Sequence, residues 1–418
     1  MPAASARGTA PGSPVSPGSR PRLWTANFIL ALLVNVGSSV GFYFVQPVLT
    51  PYMEGLGIAL TITGIISGMF SFVALAVRPF TGILSDRISP KLILAFTLPL
   101  EAFACILYVA FPQVAGLAAA RVFHGVGYSF ATTVGMVYGT SFAPRERMGE
   151  AIGYMGLGNI LGTAIGPSLG LAMGATIGFR YSFLVGCGVI MAGFVCLLLT
   201  RPPKKTPEEI AAARAKRTSF RLSNMISVKL LPLAVFDGFY GLSIGLVNAF
   251  LAVHVASLGI GGAGVFFTAL AVVMLAIRPF IGRFADRHRL PVIVIPCYAM
   301  TAAALLLIAN VRAVWMFIPI AVLMGCGQGT AMAALQAACI RALPDEQRGV
   351  ATSTYFVLLD IFQGFGPMAG ARLTAAVSIG LLAANYRPMY SLTACVFIAG
   401  IFAFALYSAH RTRRGDPL

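Results

Sequence analysis

Twelve long apolar runs, separated by short polar turns, organise this chain. They lie near residues 25–48, 61–83, 91–110, 114–138, 150–173, 181–200, 228–252, 262–283, 291–310, 313–338, 350–371 and 388–408. Each is close to the roughly 20 helical residues that cross a hydrocarbon layer about 30 Å thick. The pattern predicts twelve transmembrane helices. Inside several runs the polar positions keep helical spacing. Asn35, Ser39, Phe42 and Gln46 fall at i, i+4, i+7 and i+11, on one face. Asp237, Gly241, Ile244 and Asn248 share that spacing, with Tyr240 nearby. Arg121, His124, Tyr128 and Thr132 share a face of the fourth run, and Gln328, Met332 and Gln336 a face of the tenth.

The chain also repeats itself at about half its length. Arg78-Pro79-Phe80-Thr81-Gly82-Ile83-Leu84-Ser85-Asp86-Arg87 returns 200 residues later as Arg278-Pro279-Phe280-Ile281-Gly282-Arg283-Phe284-Ala285-Asp286-Arg287. Pro144, Glu146, Gly149 and Ala151 return as Pro344, Glu346, Gly349 and Ala351. Gly166-Pro167 and Gly170 return as Gly366-Pro367 and Gly370. Nearer the start of each half the offset is 202: Leu56-Gly57-Ile58 matches Leu258-Gly259-Ile260, and Asn35 aligns with Asp237. Two fused copies of a six-helix unit are expected, so the fold class is an all-α membrane protein of two pseudo-symmetric six-helix bundles. Fused halves in a membrane suggest a transporter with its site between them.

Composition supports this. Charged residues make up 10% of the 418, against about 25% in soluble domains. The net charge of +17 would suggest nucleic acid in a soluble chain. Here the basic residues gather in alternate loops. Arg87, Lys91, Arg145, Arg147, Arg287, Arg289, Arg341 and Arg348 fall on one side, with Arg201, Lys204, Lys205, Arg214, Lys216 and Arg217 between the halves. Arg180, Arg312 and Arg387 are sparse on the other side. That asymmetry predicts both termini in the cytoplasm, a multi-pass protein of a bacterial inner membrane, and no nucleic-acid partner. The expected organisation is a disordered tail at 1–23, bundles at 24–200 and 228–408, a cytoplasmic linker at 201–227 and a tail at 409–418. The first run is too long for a cleaved signal peptide. The seven cysteines form no C-x-x-C pair, and neither they nor the four histidines have metal-ligand spacing. No phosphate loop or nucleophile elbow stands out, so no cofactor and no enzymatic activity is expected.

Three motifs then carry a resemblance. Gly82-x-x-x-Asp86-Arg87-x-Ser89-x-Lys91, with its copy Gly282 to Arg289, resembles the loop between spans two and three of the major facilitator superfamily. Ser89 stands where that family usually has Gly. Leu117-x-x-x-Arg121-x-x-His124-Gly125-x-Gly127 resembles its fourth-span motif, with His124 where Gln is common. Gly162-x-x-x-Gly166-Pro167-x-x-Gly170 resembles its fifth-span antiporter motif, with Leu169 in place of a Gly. The resemblance implies alternating access by rocking bundles and a central cavity lined by spans one, four, seven and ten. It further implies proton-driven export, as in the drug, sugar and siderophore efflux carriers. Symport or facilitated uptake of a small metabolite stays open as the alternative.

These readings set the candidate residues. The cavity is expected at Asn35, Ser39, Phe42, Gln46, Arg121, Tyr128, Thr132, Asp237, Tyr240, Asn248, Gln328 and Met332. A charge at mid-bilayer costs roughly 2.5–3.5 kcal/mol on insertion scales. Hence Asp237 is the first choice for the proton carrier, with Asp360 and Glu101 as rivals and Arg121 and His124 as accessory groups. Glu101 on span three is expected to face an adjacent helix or headgroups. The gate is expected at Arg78, Gly82, Asp86 and Arg87 with Arg278, Gly282, Asp286 and Arg287. There Arg78 and Arg87 would hold Asp86 against the start of span eleven, where the helix dipole is positive. The stripe Gly158, Gly162, Gly166 and Gly170 is expected to let span five slide on span eight, and Pro167 to kink it. The expected partners are protons, lipid and a small-molecule substrate, with a monomer sufficient.

Overall fold

A computed structural model describes residues 22–144, 147–201, 226–343, 348–378 and 385–413, without the side chains at 79, 82, 83, 86, 87, 149, 279, 281–287, 348, 349, 352 and 353. Most of the expected linker therefore lies outside the described residues. So do the side chains of Gly82, Asp86, Arg87, Gly282, Asp286 and Arg287 of the expected gate.

The first half runs α1 (Ala26–Val45), the short α2 (Leu49–Gly55), α3 (Leu60–Arg87), α4 (Pro90–Ala110), α5 (Val114–Thr140), α6 (Met148–Ile177) and α7 (Phe179–Leu199). The second runs α8 (Leu231–Ser257), α9 (Ala263–Arg287), α10 (Leu290–Ala309), α11 (Phe317–Arg341), α12 (Arg348–Val377) and α13 (Arg387–Arg413). Apart from α2, these are the twelve helices that the apolar runs predict. Nine segments among the described residues are long and apolar enough to cross a membrane on composition alone. Of the remaining helices, α5 and α12 carry more polar residues, including Arg121 and His124 on α5 and Asp360 on α12, which are buried inside the protein, whereas α9 is apolar from Ala263 to Arg278. Two boundaries differ from expectation. Leu23 is buried beside Phe28, Ala151 and Met155, and α13 continues to Arg413.

Local signals set the ends. Thr25 Oγ1 accepts the Phe28 N–H at 3.2 Å and caps α1. Pro90 opens α4, where a missing N–H costs nothing. Gly57 and Gly259 end corresponding helices with φ of 74° and 71°, which a residue with a Cβ rarely adopts. In both places the following Ile donates to the carbonyl five residues back, Ile58 to Met53 at 3.1 Å and Ile260 to Val255 at 2.9 Å. The sequence repeat is thus the same capped turn built twice.

Each half has its own apolar core. Two helix pairs make the broadest junctions between the halves. On one side α3 meets α12: Gly68 approaches the Gly364 carbonyl, Gly64 that of Pro367, and Phe72 stacks edge-on against Phe365 at 5.2 Å. On the other side α6 meets α9, where Ser168 Oγ donates to the Gly264 carbonyl at 2.7 Å.

The glycine stripe corrects an expectation. Gly158, Gly162, Gly166 and Gly170 do not face span eight. They face α1, against Asn35, Ser39, Tyr43 and Phe44. The contact with α9 belongs to another face of α6, through Gly156, Ala164 and Ser168. Helical spacing shows which residues share a face, but both faces of α6 carry small residues. The helix also continues through Pro167 to Ile177. A Cβ at Gly162 would lie 2.8 Å from the Ser39 carbonyl carbon and oxygen. Gly162→Leu is therefore expected to cost about 1–3 kcal/mol or more of stability, read as a lower thermal midpoint in detergent.

Candidate functional site

In the first half, α1, α3, α4 and α5 bring their polar side chains together in one sealed network. Gln46 Oε1 accepts from an Arg121 terminal nitrogen at 2.6 Å, and the Ser67 carbonyl accepts from the same nitrogen at 3.1 Å. The guanidinium also lies 5.2 Å from the Phe70 ring centre. Phe42 stacks flat on Tyr128, 3.8 Å between centres, and tilts against Phe70 at 4.5 Å. Behind this aromatic layer, His124 Nδ1 is 3.3 Å from the Tyr108 hydroxyl, and His124 Nε2 is 4.0 Å from Glu101 Oε1. Ser38 Oγ donates to Glu101 Oε2 at 2.9 Å. Glu101, Arg121 and His124 have no solvent exposure.

Of the two placements expected for Glu101, the structure shows the adjacent helices and not the headgroups: it faces Ser38 of α1 and His124 of α5. It points into its own bundle because Gly127 lets α5 lie against the Glu101 backbone. Tyr108, Ser38, Ser67 and Phe70 were not picked out from the sequence. The i, i+7 spacing of Glu101 and Tyr108 on α4 was the one available signal. Asn35 and Ser39 sit against Gly158 and Gly162 of α6. Thr132 donates to carbonyls of its own helix, at 2.9 Å to Tyr128 and 3.3 Å to Ser129.

In the second half, Asp237 is fully buried, and neither carboxyl oxygen has a hydrogen-bond partner among the described residues. The Tyr355 hydroxyl interacts with the Asp237 carboxyl, although its one hydrogen bond of ordinary geometry goes to the Met332 carbonyl at 3.3 Å. No cation lies within ion-pair range of Asp237 among the described residues. Arg121 is committed to Gln46 and Ser67 in the other bundle, so it does not serve Asp237 in this conformation. Tyr240 is turned into the core of its own half, with ring centres 5.2 Å from both Tyr298 and Phe397. Gly241, below Asp237 on α8, meets the Leu359 carbonyl of α12. Gln328 is buried, while Asn248 and Met332 are half-buried. Asn35 and Ser39 of the α1 stripe thus turn toward α6, whereas Phe42 and Gln46 join α3 and α5, and Gly241 of the α8 stripe turns toward α12.

Asp360 has a different setting. Its carboxylate takes the Arg78 guanidinium across the junction of the halves, with contacts of 2.6 and 3.3 Å. Arg78 also lies 5.1 Å from the Phe356 ring centre. Arg78 therefore engages Asp360 on α12; the side chain of Asp86, which it was expected to hold, lies outside the described residues. The twin residue Arg278 lies against Gly156, whose added Cβ would be 3.2 Å from the guanidinium. The twin of Asp360 is Ile160, so that side has no matching carboxylate.

The duplication exposes what is special about the acids. Asp237 corresponds to Asn35, Glu101 to Thr301 and Asp360 to Ile160. Their surroundings are otherwise alike: Gly127 approaches Glu101 as Gly327 approaches Thr301. Each acid sits where the same architecture is built with a neutral residue. The fold does not require the charge.

The sequence model of the Major Facilitator Superfamily matches residues 31–367 and 233–417. The Multidrug resistance protein MdtG of Escherichia fergusonii is 26% identical over 404 residues, covering 94% of this chain and 95% of its own. The MFS-type transporter YhhS of Escherichia coli K12 is 25% identical over 377 residues, covering 87% and 86%. Among solved structures, a point mutant of the nucleoside transporter NupG superposes with a TM-score of 0.78 at 13% identity, over 91% of this chain and 99% of its own. At that identity the likeness concerns the fold alone.

Proposed function

Because the chain belongs to the Major Facilitator Superfamily, we propose that this multi-pass transporter exports a small amphipathic organic compound in exchange for protons. The observation that carries the reading is the pair of sealed acids, Asp237 and Glu101, each replaced by a neutral residue at its twin position. A carboxyl held without a counter-charge in a low-dielectric site is expensive to keep ionised. Such groups inside membranes mark proton relays. Asp237 is the proton carrier in this reading, and the Glu101–His124 pair is a second exchange point. Asp360 has its counter-charge in Arg78 and serves as a lock between the halves. The Phe42, Phe70 and Tyr128 rings, packed on one another beside Arg121 and Gln46 in this conformation, would offer an apolar surface with polar groups at its edge once the helices part, which suits an amphipathic cargo. Likeness to a multidrug resistance protein across most of the chain supports export. The basic loops support both termini in the cytoplasm of a bacterial inner membrane.

Inside-out membrane vesicles with a fluorescent lipophilic cation as probe test the proposal. The probe is expected to accumulate when the lumen is acidified, and a protonophore should release it. Accumulation indifferent to the protonophore would remove the exchange from the account.

A further inference from the structure

A recess of about 460 Å³ opens where three helix ends of the second half meet. Lys229 precedes α8, Arg341 and Ala342 end α11, and Tyr407, His410 and Arg411 belong to the last turns of α13. Leu230 and Leu233 line its apolar side and are almost fully buried. Four basic side chains and no acidic one line this space among the described residues. Cations at the ends of α11 and α13 suit the helix dipoles. That role does not account for Lys229, which stands at the start of a helix.

The wall beside the recess is informative. Ile398, Phe402, Leu406 and His410 lie four residues apart along α13 and form one stripe. Phe402 and Leu406 are 66% and 72% exposed, so this apolar track leads directly to a basic recess. A free phosphate would use the recess alone. A phospholipid would use both, with its phosphate among the cations and an acyl chain along the stripe. Basic pockets between helices on the cytoplasmic side are suited to anionic headgroups.

We infer that this recess binds the headgroup of an anionic phospholipid of the inner leaflet, with Lys229 and Arg411 as its principal phosphate contacts. The leaflet assignment rests on the orientation proposed above, whereas the binding itself does not. It can therefore be tested in detergent without any transport measurement, so the two ideas fail separately. The purified full chain is titrated with phosphatidylglycerol, phosphatidylcholine or inorganic phosphate, and bound lipid is counted by native mass spectrometry. Phosphatidylglycerol is expected to be retained over phosphatidylcholine, and inorganic phosphate should not displace it. Lys229→Gln is expected to weaken retention about fivefold, and Lys229→Gln with Arg411→Gln about thirtyfold. Lys229→Arg should keep it, which separates loss of charge from misfolding. Equal retention of phosphatidylcholine, indifference to Lys229→Gln, or displacement by inorganic phosphate would each overturn the inference.

Discussion

Asp360→Ala is expected to part α3 from α12 and bias the protein away from the conformation described here. The Asp360 side chain is 6% exposed and that of Arg78 is 34% exposed, so the pair lies between two known regimes. Exposed pairs contribute about 0–1 kcal/mol. Breaking a fully buried one costs about 3–5 kcal/mol, because a charge is left without its partner. An intermediate loss of about 2 kcal/mol corresponds to roughly a thirtyfold shift in a two-state equilibrium. Distances between spin labels on α3 and α12 would report it as a longer population in the variant. The exchanged pair Arg78→Asp with Asp360→Arg should recover much of the short distance, since the interaction is mainly one of opposite charge. Arg278→Ala should shift the distribution far less, because Ile160 stands at the position that corresponds to Asp360. An Asp360→Ala distribution matching wild type would show that the lock is not one.

Asp237→Asn should leave the fold intact and abolish gradient-driven accumulation. The amide has nearly the shape of the carboxyl, and Asn35 already occupies the twin position. For an uncharged cargo, one proton moved across 100 mV is worth about 2.3 kcal/mol, enough for about a 40-fold substrate gradient, whereas one-for-one exchange with a cation draws on the pH difference alone. Loss of the carrier proton removes that gradient while leaving facilitated equilibration. The expected result is an accumulation ratio near one, with probe binding and thermal stability close to wild type. Glu101→Gln should lower accumulation as well, with a changed pH profile, because it also breaks the link to His124 and Ser38. Accumulation by Asp237→Asn at the wild-type level would transfer the role to Glu101.

The architecture could be read from the chain because it depends on local signals. Apolar runs of bilayer length and twin glycine turns such as Leu56-Gly57-Ile58 and Leu258-Gly259-Ile260 mark helices and halves without reference to distant residues. What could not be read is which helix a face meets. The spacing of Gly158 to Gly170 marks a smooth face, but that face lies on α1 and not on span eight. Arg78 and Asp360 are 282 residues apart, and nothing in either neighbourhood announces the other. Glu101 seemed peripheral because its span was expected at the periphery. Only the backbone approach at Gly127 turns it toward His124. The acids themselves were legible as charges in apolar runs. Their separate settings, one paired across the halves, one beside a histidine and one beside a tyrosine without a counter-charge, depend on packing.

The central claim is that cargo and proton move in opposite directions through this protein. Proteoliposomes loaded with a pH-sensitive dye measure it directly, with substrate added outside and no imposed pH gradient. Inward movement of substrate should make the lumen more alkaline, and the signal should vanish in Asp237→Asn. A lumen that acidifies would mean co-transport, and substrate entry without any pH change would mean that protons take no part.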